Sequence, residues 1–333
     1  MASQQFIAID EDPEEDQSFY SSGYDSESSE ATEESTNTLK SSIFDYRFEN
    51  GRRYHAYRDG KYMFPNDDAE QERLDIIHHT YLMLLNGELH MAPIGPNPTR
   101  ILDIGTGTGI WAIDAGERYP DAEVIGTDLS PIQPAWVPPN VHFQIDDAES
   151  EWTWAKESFD MIHIRHLSGA IKDWDALLKE VYKNLKPGGW VDLSEYDMHL
   201  FSDDGTFHEG LGLYKFYDLV NQAAAESGRV FNIAGSLKAS IETAGFINVH
   251  QEMKKIPVGT WPADQKQKAM GAYILLTAEN AFDAFGMRLL TNVHGMEVAE
   301  VNELVNSAKK NVHDRRIHSY SKHHLYWAQK PFP

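Results

Sequence analysis

The residues with the most chemical promise are Asp103-x-Gly105-x-Gly107-x-Gly109, which follow the apolar run 100–104 and precede a helical pattern. Glycines at a strand-to-helix turn let backbone approach a ligand closely and leave a helix N-terminus facing it. A dinucleotide fingerprint would need glycine at position 110, which is Ile110, and no G-x-x-x-x-G-K-[ST] phosphate loop is present. The acid ahead of the glycines suits a ligand that carries an ammonium and a sulfonium. Asp128, with Leu129 beside it, ends the next strand, where a carboxylate can accept ribose hydroxyls. Asp147 and Ala148 end the third strand, where they can serve an adenine amino group and a ring nitrogen. His163, Arg165 and His166 end the fourth and are the catalytic candidates. His166 is the first choice as base. Strand alternation puts His163 and Arg165 on one face, so His163 also reads as a packing residue. Trp152, Trp154, Trp261 and the 270–287 region either line an acceptor pocket or pack in the core. The 15 histidines include no H-x-x-x-H with a carboxylate on a helix, so no metal is expected.

Those side chains need a sheet to bring them together. Segments 100–104, 122–128, 141–145, 159–164 and 190–194 are short apolar runs bounded by turn residues, a pattern that predicts strands. Helical patterns separate them, and the one over 174–185 is closed by Lys186-Pro-Gly-Gly189. Strands alternating with helices give right-handed crossovers and therefore an α/β fold with a parallel sheet. Ligands of such sheets sit beyond the carboxyl ends of the strands, which is where the acids, glycines and histidines fall. Beyond Glu195 the pattern is helical over 211–227 and 236–244, strand-like over 247–255, helical over 265–312 and strand-like over 324–329. The long helical stretch between the last two strands predicts a lid over the acceptor. Ahead of the sheet, Asn66-Asp-Asp-Ala-Glu70 caps a helix that carries Leu74, Ile77, Leu82 and Leu85. The chain thus divides into a disordered acidic tail (1–42), an N-terminal helical segment (43–97), a ligand-binding core (98–260), a helical lid insertion (261–318) and the final strand of the core (319–333).

Of the 333 residues, 41% are hydrophobic, enough for a substantial core. The formal charge is −23, opposite in sign to what phosphate-backbone binding needs, so direct nucleic-acid binding is disfavoured. Residues 1–40 hold eleven acids and one base among many serines, a composition that cannot offset its ordering entropy. That tail is either a solubilising leader or a docking segment open to phosphorylation. Zero cysteines exclude disulfides, thiol nucleophiles and thiolate metal sites. Without a signal-like N-terminus or an apolar stretch near ~20 residues, the chain is expected in the cytoplasm or nucleus and not in a membrane.

The glycine motif, Gly126-Thr-Asp128, Phe143-Gln-Ile-Asp-Asp147, Phe159-Asp-Met-Ile-His163 and Leu185-Lys-Pro-Gly-Gly189 closely resemble the class I S-adenosylmethionine-dependent methyltransferases. That resemblance covers roughly residues 98–200. A narrower one runs through Gly51-Arg-Arg-Tyr-His-Ala-Tyr57, Tyr62-Met-Phe-Pro-Asn-Asp67, Glu70-Gln-Glu-Arg-Leu-Asp75, Gly109-Ile-Trp-Ala-Ile113 and Gly259-Thr-Trp-Pro262, and is similar to the LaeA-like fungal methyltransferases. It implies a Rossmann-like seven-stranded methyltransferase sheet with N-terminal helices and a helical lid insertion. It also implies S-adenosyl-L-methionine as cofactor, held by Asp103, Gly105, Gly107, Gly109, Asp128, Leu129, Asp147 and Ala148, with Tyr54 in an N-terminal segment that closes over it. The implied role is methyl transfer in fungal secondary metabolism to an O or N of a small molecule or protein. The alternative is a regulator of secondary-metabolite gene expression that works through protein partners.

Overall fold

The computed structural model describes residues 6–10, 46–55 and 63–333. An antiparallel hairpin of β1 (Arg47–Glu49) and β2 (Arg52–Tyr54) precedes helix α1 (Asp68–Leu84). The N-terminal helical segment over 43–97 thus also carries a hairpin ahead of its helix. Asp67, rather than Asn66, caps α1, accepting from the Glu70 N–H at 3.1 Å. Strand and helix then alternate through β3 (Arg100–Ile104), α2 (Ile110–Arg118), β4 (Glu123–Asp128), β5 (Val141–Ile145), β6 (Phe159–Arg165), α3 (Trp174–Asn184) and β7 (Leu185–Phe201). The chain continues with α4 (Gly212–Glu226), α5 (Leu237–Thr243), β8 (Ile247–Pro257), α6 (Gln265–Asn292), α7 (Val298–Val312) and β9 (Tyr320–Gln329). The sheet has seven strands in the order β5-β4-β3-β6-β7-β9-β8, with β9 antiparallel to both neighbours and the pairs among β3–β7 parallel. β7 begins five residues before the expected Trp190. Gly189 permits this, because a Cβ there would lie 2.9 Å from the Lys186 carbonyl and 3.1 Å from that of Phe159.

Both faces of the central strands are covered, which is why their sequences are nearly continuous apolar runs. Leu102, Ile104, Ile162 and Ile164 pack on Leu177 and Val181 of α3 and Ile241 of α5. Ile101, Val124 and Met161 face the other way, onto Trp111, Ala112 and Ala115 of α2. The stretch expected as a lid is a pair of helices broken at 293–297, with a capping box of Glu297 and Glu300 opening the second. The pair packs on α4 and the far half of β7 through Phe216, Phe282, Leu290 and Val305, forming a core of its own.

One correction concerns the tail. Ile7 is buried against Trp261 and Tyr320, Ile9 bridges Pro262, and the Asp10 carboxylate meets Lys268 and Arg315. Residues 6–10 are thus ordered, and 11–45 lie outside the described residues. No helix among the described residues is long and apolar enough to cross a membrane.

Candidate active site

Beyond the end of β3, Gly105, Gly107 and Gly109 have φ of +67°, +59° and +83°. Side chains would be strained at all three, and at Gly105 and Gly109 they would also collide. A Cβ on Gly105 would sit 2.4 Å from Leu167 Cδ2, and one on Gly109 would sit 2.3 Å from Phe143 Cζ. The turn is tied down from beneath by Asp103, whose carboxylate accepts from Thr106 Oγ1 at 2.6 Å and His163 Nδ1 at 2.7 Å. His163 in turn stacks on Trp111, with centroids 3.7 Å apart and planes 1° from parallel. Both Asp103 oxygens accept from protein donors, so Asp103 holds the turn, and His163 is buried against Trp111; both also line the cleft described next.

Asp128 takes the Gly107 N–H on Oδ2 at 2.8 Å and the Ser130 N–H on Oδ1 at 2.9 Å, so it ties the glycine turn to the end of β4. Burial pushes its pKa up to about 6, against the lowering effect of those N–H donors. Asp147 is buried at the end of β5 and accepts the Glu149 N–H at 3.0 Å. Leu129, Ile132, Ala148 and Ile171 add apolar wall to a cleft of about 130 Å³ that Asp103, Gly105, Gly107, Asp128, Asp147 and His163 also line, while Gly109 lies outside the lining, against Phe143. Six carboxylates line it (Glu70, Asp103, Asp128, Asp146, Asp147 and Glu149) against one arginine, Arg165. That set suits a cationic nucleoside and disfavours a pyrophosphate.

The N-terminal segment does reach the cleft, through residues other than the one expected. Pro65, Asn66, Glu70, Leu74 and Ile77 line it. The Asn66 amide donates to Ser130 Oγ at 3.3 Å, and its own N–H and carbonyl are held by the Arg53 carbonyl and guanidinium. Tyr54 lies outside the lining, with no exposure, under the Arg288 guanidinium 4.6 Å from its ring centroid, and burial pushes its hydroxyl up to about 12. Asn66 was missed because a polar residue just ahead of a helix reads as a cap.

At the end of β6, Arg165 Nη2 donates to His78 Nδ1 at 3.1 Å, and His78 Nε2 donates to Asp114 at 2.8 Å. Burial weakens the hold of Arg165 on its proton, and no described carboxylate forms an ion pair with it. His166 adopts φ +60°, a left-handed conformation that costs roughly 1–2 kcal/mol in a non-glycine residue. Its N–H donates to the Ser194 carbonyl at 3.0 Å, and Glu195 accepts the following two N–H groups, from Leu167 at 2.5 Å and Ser168 at 3.2 Å. Burial carries the Glu195 pKa up to about 7. A lone acid at a strand end gave no sequence signal for this clamp. Burial, then the charges of His323, Arg165, Arg73 and His163, hold His166 well below the usual histidine range.

His166 and Ile77 also line a second cavity, of about 70 Å³, under α6. Its walls include Tyr196, Leu200, Tyr217, Ala278, Phe282, Phe285 and His323. The lid helices therefore cover this cavity and contribute nothing to the first cleft. Trp152 and Trp154 pack beside the core under the α3 face, Trp261 is buried with its N–H on the Ser319 carbonyl, and Met270 is buried against Ile77 and Tyr81. None of the three tryptophans lines either cavity.

A family model described as a methyltransferase domain matches residues 77–251. The chain is 40% identical over 302 residues to the methyltransferase pytC of Aspergillus terreus, covering 90% of this chain and 93% of that one. It is 37% identical to the secondary metabolism regulator LAE1 of Cochliobolus heterostrophus, with coverage of 85% and 94%. It is 35% identical to the regulator laeA of Aspergillus fumigatus, with coverage of 85% and 76%. With this sheet, this glycine turn and these relatives, the chain belongs to the LaeA-like S-adenosylmethionine-dependent methyltransferases.

Proposed function

We propose that the first cleft holds S-adenosylmethionine and that the second holds a small-molecule acceptor of secondary metabolism, with the methyl group passing between them beside His166. The observation that carries this reading is that two cavities of different chemistry, one lined by carboxylates and one by aromatics, share His166 and Ile77. Asp128 would take the ribose hydroxyls, Asp147 and Ala148 the adenine edge, and Arg165 the amino-acid carboxylate. When bound, the cofactor supplies an electrophilic methyl group: the acceptor's lone pair bonds to that carbon, the carbon–sulfur pair stays on sulfur, and a hydroxyl acceptor sheds a proton. The chain's share is orientation and exclusion of water, which can account for roughly 7–11 kcal/mol of barrier in well-aligned transfers. The relatives named as regulators support a second reading, in which the same loaded cleft serves a partner protein.

Calorimetry with S-adenosylmethionine tests the assignment. Gly107→Arg places a long side chain at the mouth of the turn, where a Cβ meets only Leu74 at 3.4 Å, so the cost to the fold is the backbone strain at φ +59° while the cleft fills. Wild-type affinity in a Gly107→Arg protein with an unchanged melt would overturn the site. Conversion of the cofactor to S-adenosylhomocysteine in the presence of a small-molecule extract, but not of a protein fraction, favours the metabolite reading over the regulatory one.

A further inference from the structure

We infer that Tyr81, His323 and Ser321 form a hydrogen-bonded chain that fixes the tautomer of His166, with Nε2–H turned inward and Nδ1 left as a bare acceptor, so that the substrate group is a hydroxyl that gives up its proton to Nδ1. This rests on the proposal that methyl transfer takes place beside His166.

The chain comes from three elements. His166 Nε2 lies 2.9 Å from the Tyr81 hydroxyl on α1, which lies 2.8 Å from His323 Nδ1 on β9. His323 Nε2 lies 2.8 Å from Ser321 Oγ, and Ser321 Oγ donates to the Ile256 carbonyl at 3.4 Å. A hydroxyl has one proton to give, so the chain has a direction. A carbonyl only accepts, so a Ser321 hydroxyl turned to Ile256 gives its proton there and accepts from His323 Nε2–H at 2.8 Å. His323 Nδ1 is then bare and takes the Tyr81 proton. The Tyr81 oxygen is left to accept from His166 Nε2–H, which strips the proton from Nδ1. That nitrogen makes no hydrogen bond, yet it is absent from the sealed, unpartnered polar atoms, so it borders open cavity.

The surroundings keep the ring neutral. Arg73 and Tyr81 of α1, His163 and Arg165 of β6, Glu195 and Tyr196 of β7 and His323 of β9 face it or lie beside it. Burial and the cations among them oppose a second proton on the resting imidazole. A neutral amine attacks with its own lone pair and needs no base beforehand, whereas a hydroxyl must lose its proton as its oxygen forms the new bond. A base presented as a bare nitrogen therefore points to a phenol or enol. The aromatic walls of the second cavity (Tyr196, Tyr217, Phe282 and Phe285) suit such a ring.

Long-range proton–nitrogen correlation spectra of histidine-labelled protein read tautomers directly, without acceptor or cofactor. His166 should show Nδ1 at the shift of an unprotonated ring nitrogen and Nε2 at that of a protonated one. Ser321→Ala removes the group that sets the direction by deleting one hydroxyl from the wall of the second cavity, leaves the first cleft untouched, and should move His166 to a mixture of tautomers. Tyr81→Phe should do the same if it folds. A wild-type His166 protonated on Nδ1, or a tautomer indifferent to Ser321→Ala, overturns the inference even when calorimetry finds normal cofactor binding. Failed cofactor binding with the expected tautomer instead sinks the parent proposal.

Discussion

Asp128→Asn separates what the site costs the fold from what it gives the ligand. The native carboxylate has its pKa raised from 3.8 to about 6, chiefly by burial. A raised acid is one the folded state prefers protonated. Over the window from 3.8 to about 6 the folded chain therefore binds more protons than the unfolded chain, and stability falls as pH rises. The full shift would correspond to about 3 kcal/mol at 1.36 kcal/mol per pKa unit. Because Asp128 borders an open cleft, solvent screening reduces that to about 1–2 kcal/mol. The asparagine variant lacks this dependence but keeps only one acceptor for the N–H groups of Gly107 and Ser130, a loss of about 1 kcal/mol at every pH. Urea denaturation should therefore find the variant about 1 kcal/mol less stable near pH ~4 and equal or more stable near pH ~8. Calorimetry near pH ~8 should find S-adenosylmethionine bound more weakly by about 1.5–3 kcal/mol, or roughly 10- to 150-fold, because two hydroxyls lose a charged acceptor. A stability gap that does not change with pH refutes the desolvated carboxylate, and unchanged affinity refutes the ribose assignment.

Two further outcomes test the helical module and the tail. Met270→Ala, a change in the core beneath α6, should cost about 2–5 kcal/mol in denaturation with cofactor affinity kept, while Phe285→Ala, a change in the wall of the second cavity, should cut methyl-acceptor turnover; if Phe285→Ala instead lowers cofactor affinity, the two cavities are not separate sites. Deleting residues 1–10 removes buried Ile7 and the carboxylate that faces Lys268 and Arg315, a loss of about 2–3 kcal/mol, and should lower Tm by roughly 3–4 °C; a shift under about one degree would show that the segment is not bound in solution.

The parts legible in the sequence were those governed by short-range pattern. Apolar runs with turns between them gave the strands to within a few residues, because a doubly covered sheet leaves no other solution for such segments. The glycine turn, Asp128 and Asp147 were legible for the same reason: a strand end plus a small or acidic residue is a local signal, and the sheet brings those ends together. What escaped depended on contacts across long separations. That Asp103 holds the glycine turn shows only when His163, sixty residues away, takes one of its oxygens. Tyr54 reads as a lid aromatic until Arg288 is found above it, and Asn66 as a cap until Asp67 takes that role. The left-handed backbone of His166 and its Glu195 clamp have no pattern at all, since nothing in His-Leu-Ser or in a single glutamate encodes a pairing between β6 and β7.

That clamp bears on how one sheet can serve many acceptors. The cofactor side is held by buried carboxylates: Asp103 beneath the glycine turn, Asp128 across to it, and Glu195 behind the loop after β6. Each takes backbone or side-chain donors that would otherwise be left unsatisfied, so removing any one costs the desolvation of several groups. The strain at His166, roughly 1–2 kcal/mol, persists only because this network fixes the backbone on both sides of it. The second cavity, proposed for the acceptor, keeps hydrogen-bonded groups such as Ser321 and His323 apart from its α6 wall. On that α6 side the wall is Ile274, Ala278, Ala281, Phe282 and Phe285, and volume-conserving exchanges there usually cost under about 1.5 kcal/mol. Substitutions can reshape the second cavity without disturbing the first, so relatives with the same cofactor cleft are free to differ in what they methylate. Their differences should concentrate on the cavity-facing positions of α6, such as Ile274, Ala278, Ala281 and Phe285, rather than at the strand ends.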